Sequence, residues 1–86
     1  MNKNEEFILD HLLVNGARNW KQLTESTDLS YDILHKTLEE MWFKKWINVE
    51  YHTLDNLLRR NFPTVGINTL FTLTSWKRIQ LQFFVI

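Results

Sequence analysis

The chain has 86 residues, 44% of them apolar, with ten basic and ten acidic side chains and no cysteine. A chain of this length suits one small domain, which buries only about 60–65% of the surface its unfolded form exposes. The composition excludes disulfides, thiolate metal sites and cysteine nucleophiles, and the longest unbroken apolar run, Phe83 to Ile86, is far short of the ~20 residues of a membrane span. The opening Met-Asn-Lys-Asn-Glu-Glu has no apolar core behind a basic cluster, so it does not read as a secretory signal. A soluble, cytoplasmic protein with no membrane partner is expected.

A first helix is predicted from about Asn4 to Asn15. Ile8, Leu9, Leu12 and Leu13 form its apolar stripe, and Gly16 falls where a left-handed C-terminal cap belongs. Phe7 and Val14, seven residues apart, lie on the opposite side near His11. Apolar residues on two sides of a helix imply deep burial or a contact beyond its own core.

The stretch from Asn19 to Tyr51 reads as short helix, tight turn, longer helix and strand. Asn19 caps a second helix, Trp20 to Thr27, with Gln22 completing a capping box. Ser30 caps a third, Tyr31 to Lys44, whose Leu34, Leu38 and Met41 repeat at helical spacing. Asp32 in its first turn and Lys44 and Lys45 at its end suit the helix dipole. Two short helices joined by a turn of about four residues have the geometry that places a helix in a DNA major groove. The same arrangement also serves as a protein-docking module.

Trp46 to Tyr51 switches to strand alternation, with Ile47, Val49 and Tyr51 against Asn48 and Glu50. Thr53 can cap a short helix over Leu54 to Asn61, which Phe62-Pro63 ends because the residue before proline is pushed out of helical geometry. Val65-Gly66-Ile67-Asn68 reads as a turn, and Thr69 to Leu73 as a second strand able to pair with the first. The last segment fits a helix carrying Trp76, Ile79, Phe83 and Ile86 on one side. It also fits a strand in which Ile79, Leu81, Phe83 and Val85 alternate with Gln80, Gln82 and Phe84; the helix is preferred.

Residues Leu38-Glu39-Glu40-Met41-Trp42-Phe43-Lys44-Lys45-Trp46-Ile47 look like the end of a recognition helix leading into a wing strand. Phe71-Thr72-Leu73-Thr74 is similar to the strand end that leads into a C-terminal helix. On these segments the chain resembles the winged helix-turn-helix superfamily of bacterial and phage transcription regulators, over roughly Phe7 to Leu73. The resemblance implies a mainly α fold with a small β-hairpin (α+β): a three-helix core, a two-stranded antiparallel wing and a C-terminal helix. The expected layout is one domain over residues 1–86, with the helix-turn-helix at about 19–45, the wing region at 46–74 and a terminal segment at 75–86. Three departures stand out. Lys45 replaces the usual glycine, at about 1 kcal/mol for a left-handed residue. Trp42 and Phe43 occupy positions that are usually charged, and residues 52–68 are long for a simple wing.

Function is expected to be sequence-specific binding of double-stranded DNA, in a small phage, plasmid or bacterial transcription or replication regulator. Residues early in a recognition helix usually contact base edges, which nominates Ser30, Tyr31, His35 and Lys36. Lys21 adds a phosphate contact. Residues 1–55 hold six basic and all ten acidic groups, a net −4, whereas residues 56–86 hold Arg59, Arg60, Lys77 and Arg78 and no acid. These four would grip the phosphate backbone; the bland alternative is ordinary solvated surface. Asp32 is unfavourable beside phosphate unless it accepts from a cytosine amine.

Four Trp and six Phe exceed what a small helical core easily hides. Phe7, Val14, Trp42, Phe43, Phe83 and Phe84 are therefore expected to meet a partner. A homodimer is the simplest choice, since a two-fold pair of winged helices would meet two half-sites. The competing view is that the 52–68 segment covers these residues within one chain. The alternative function is a protein-interaction module, including a phage-encoded inhibitor of a host protein. His35 and Glu39 share a helix face, but two ligands fall short of a metal site. No phosphate loop, nucleophile elbow or carboxylate pair suggests an enzyme or a cofactor.

Overall fold

The computed structural model of the chain describes residues 2–50 and 69–84. Helix α1 runs over Lys3–Asn15, one residue earlier than predicted, because Asn2 caps it. The Glu5 N–H donates to Asn2 Oδ1 at 2.8 Å and the Asn2 N–H to Glu5 Oε1 at 3.4 Å, a reciprocal capping box. Gly16 ends the helix at φ 76°, ψ −150°. This is not the left-handed cap expected but a region essentially restricted to glycine. A side chain there would meet nothing within 4 Å, so the backbone conformation itself demands glycine.

Strand β1 (Arg18–Asn19) follows, then α2 (Trp20–Thr27), α3 (Tyr31–Phe43), β2 (Ile47–Glu50), β3 (Leu70–Leu73) and α4 (Ser75–Phe84). The third helix thus stops one residue short of the expected Lys44. The terminal segment is helical, which decides between its two readings. The expected two-stranded wing is, among the described residues, a three-stranded antiparallel sheet of order β1-β3-β2. Arg18 and Asn19 pair with Phe71 and Leu70, a strand too short to show any alternation in the sequence. The predicted helix over Leu54 to Asn61, the turn at Val65 to Asn68, and Arg59 and Arg60 lie outside the described residues.

Register across β2 and β3 is fixed by burial. Ile47 pairs with Leu73 and Val49 with Phe71, all four buried, while Asn48 and Thr72 pair on the other face. A slip of one residue would turn every buried side chain outward. Onto this sheet pack Ile8, Leu9 and Leu12 of α1, Leu23 of α2, and Leu34, Leu38 and Met41 of α3. Each such side chain contributes about 1.5–3 kcal/mol on burial. Trp20, Trp42, Trp46 and Leu81 close the margins of the core.

The end of α3 carries the departure at Lys45. Its N–H donates to the Trp42 carbonyl and the Trp46 N–H to the Met41 carbonyl, each at 2.9 Å. That pair of bonds is a Schellman motif, which needs a left-handed residue, and Lys45 supplies it at φ 62°. Strain at the lysine is offset from the far end of the chain. The Lys45 carbonyl accepts from Thr74 Oγ1 at 2.8 Å and from Trp76 Nε1 at 2.7 Å. The start of α4 is thereby tied to the end of α3.

Candidate functional site

The two caps expected at α2 and α3 are formed. The Gln22 N–H donates to Asn19 Oδ1 at 2.8 Å, and the Asn19 N–H to Gln22 Oε1 at 3.0 Å. Between the helices, Asp28 takes a left-handed conformation at φ 55°, and its N–H donates to the Thr24 carbonyl. The Ile33 N–H reaches Ser30 Oγ at 3.4 Å to open α3.

Aromatic packing joins the two helices. The Trp20 ring lies 5.1 Å from Tyr31 and 6.4 Å from both His35 and Phe71, while Tyr31 and His35 stack at 5.8 Å. One tryptophan at the start of α2 thus anchors the first turn of α3 to the sheet. The first two turns of α3 leave Ser30, Tyr31, Asp32, Ile33 and Lys36 exposed, with His35 half-buried. Lys21 is exposed at the start of α2. These five nominated residues, Ser30, Tyr31, His35, Lys36 and Lys21, therefore belong to one helix-turn-helix unit. The charge of α3 is less favourable for DNA, since Asp32, Glu39 and Glu40 outnumber Lys36.

Of the basic C-terminal third, Lys77 and Arg78 lie among the described residues. Lys77 is only 5% exposed. Its Nζ donates to Gln80 Oε1 at 2.7 Å and sits 4.0 Å from the centroid of the Trp46 ring. Burial pushes the ammonium below the usual lysine range; Glu5 opposes that shift and Lys44 adds to it. A lysine so placed has its ammonium engaged by Gln80 and the Trp46 ring rather than presented to solvent. Arg78 is half-buried.

Glu5, a residue not nominated from the sequence, acts on Lys77 through its charge. Glu5 is buried and receives a bond from Lys44 Nζ at 2.7 Å, and Lys44 also lies 4.4 Å from the Trp46 ring. Burial would raise the Glu5 pKa, but the Lys44 bond, the Asn2 N–H and the Lys44 charge together hold it below the ordinary value. The capping box Asn2-x-x-Glu5 was a sequence signal for this residue; its ion pair, 39 positions away, was not.

Of the residues nominated for a partner, Phe7, Val14, Phe43 and Phe83 are exposed. Trp42 is half-buried against the core and meets Phe43 edge-on at 5.0 Å. The side chain of Phe84 lies outside what the structure describes. Phe7 stacks on His11 on α1. Trp42 and Phe43 instead line a cavity of about 460 Å³ with Lys45, Ile47, Asn48, Thr74 and Trp76. The sequence offered no way to join Trp76 to this group without knowing that its indole bonds to the Lys45 carbonyl. No helix among the described residues is long and apolar enough to cross a membrane.

No family model and no curated protein matches the sequence. Among solved structures, disulfide-formed AbfR aligns with a TM-score of 0.73 at 16% identity, over 96% of this chain and 54% of AbfR. This chain thus spans about half the length of that one, and the disulfide has no counterpart in a sequence without cysteine. At that identity the likeness concerns fold. With the four helices and three-stranded antiparallel sheet, it gives the chain a winged-helix-like fold.

Proposed function

We propose that the chain binds duplex DNA by laying the first two turns of α3 in the major groove, acting as a small homodimeric regulator without catalysis. One observation carries this reading: Ser30, Tyr31, Asp32, Ile33 and Lys36 at the start of α3 are exposed, yet that first turn is held by a cap and by Trp20. A reader that is both exposed and rigid loses little entropy on binding. Tyr31 and Lys36 would face base edges, Lys21 a phosphate, and Arg78 the backbone outside the groove.

The affinity should be modest and salt-dependent. Two to three phosphate contacts imply a slope of roughly −2 to −3 in log K against log salt. Duplex binding followed by anisotropy should therefore weaken on the order of tenfold to fiftyfold between about 50 and about 200 mM salt. Binding that is absent at the lower salt, or flat between the two, would refute the proposal.

A second reading is a winged helix that docks a protein. It is favoured by the acidic balance of α3, the withdrawal of Lys77 into the core, and the aromatic cavity beside Trp42 and Phe43. It predicts that duplex DNA is not retained at either salt.

A further inference from the structure

The outer side of α4 is apolar and matches a feature of its own surroundings. Trp76, Ile79 and Phe83 follow at spacings of three and four, which puts them on one stripe. Trp76 is 47%, Ile79 54% and Phe83 69% exposed, whereas Lys77 and Leu81 face the protein. The Trp76 end of the stripe borders the cavity lined by Trp42 and Phe43, and Phe43 is itself 56% exposed. The other end carries a projecting phenyl ring, seven residues and about 10.5 Å further along the helix. One end is therefore a hollow and the other a knob.

We infer that α4 pairs antiparallel with α4 of a second copy, about a two-fold axis near Ile79, so that each Phe83 enters the other copy's Trp42–Phe43–Trp76 cavity. The stripe fits a copy of itself because the two-fold exchanges its ends: position 76 faces 83 and position 83 faces 76. An unrelated partner would have to supply both a knob and a hollow at that spacing, whereas this chain already holds both. Charge permits the contact, since α4 has no acidic residue and its two cations are the buried Lys77 and the half-buried Arg78. Lys45 and Asn48 stand at the cavity rim, where the ammonium can approach the face of an incoming phenyl ring.

Area sets the expected strength. An aromatic side chain carries about 150–250 Å², and roughly half is exposed for Trp76, Phe43 and Phe83, so each copy offers on the order of 400 Å². The total of about 800 Å² lies below the 1,200–2,000 Å² of stable complexes, which implies a weak, concentration-dependent dimer. This inference rests on the dimeric part of the functional reading above and not on its DNA part.

Analytical ultracentrifugation over a wide range of concentrations tests it, together with single-cysteine variants of this cysteine-free chain. The wild type should pass from monomer to dimer with rising concentration. Phe83→Glu and Ile79→Glu should each weaken association at least about tenfold with unchanged circular dichroism. Under mild oxidation, Ile79→Cys should form a covalent dimer and Val14→Cys, exposed on α1, should not; this arm stands even if a glutamate variant folds poorly. A chain that stays monomeric at every concentration would overturn both the inference and the dimeric reading. A dimer that survives both glutamates, or that cross-links at Val14→Cys and not at Ile79→Cys, would overturn the inference alone.

Discussion

Lys45 shows how a single residue can depart from its expected type and still keep the local geometry. Sequence alone marks it as a lysine in a glycine position, and the backbone does adopt φ 62° there. Bonds from Thr74 and Trp76 to its carbonyl hold that conformation. Lys45→Gly should therefore raise stability by about 0.5–1 kcal/mol in urea unfolding, since glycine removes the left-handed penalty and keeps the carbonyl. Trp76→Phe should lower it by about 1 kcal/mol through loss of the indole bond. Glu5 carries the pH dependence at this scale. Its pKa is held below the ordinary value in the folded chain, so the stability it supplies is present above the unfolded pKa and is lost as pH falls through the folded one. Thermal midpoints should thus drop as pH falls below about 4, and Glu5→Gln should flatten that drop.

At the scale of elements, α2, α3 and their turn were the most legible part, because caps at Asn19 and Ser30 and the Leu34–Leu38–Met41 repeat are local signals. β1 was not legible: two residues cannot display an alternation, and Arg18 and Asn19 become a strand only because β3 is beside them. The end of the chain was half legible. Its helical and strand spacings were both present, and the tie from α4 to the Lys45 carbonyl favours the helix. The burial of Lys77, nominated as a phosphate contact, was not legible either. Charge is visible in a sequence, but the fate of a long apolar stem beside Trp46 depends on a neighbour 31 positions away. Lys77→Met keeps the stem and removes a desolvated charge, so it should change stability by less than about 1 kcal/mol. It should leave DNA affinity unchanged, whereas Arg78→Ala should reduce the salt slope by about 1.

Across the whole molecule, two surfaces divide the candidate functions. The helix-turn-helix side presents Tyr31, Lys36 and Lys21, and the α4 side presents Trp76, Ile79 and Phe83 with the cavity beside them. The core, eleven buried apolar side chains among the described residues, keeps both in place. Segregation matters here, because a chain that binds DNA through α3 and a copy of itself through α4 can do both at once. Binding through the α3 side can be tested directly. Amide chemical shifts of the isotope-labelled chain, recorded while short duplex DNA is added at low salt, report the contact residue by residue. Perturbations should centre on residues 30–36 and Lys21 and fade when Tyr31→Phe and Lys36→Ala are combined. Perturbations centred instead on Trp42, Phe43 and Trp76, or none at any ratio, would rule out binding through α3.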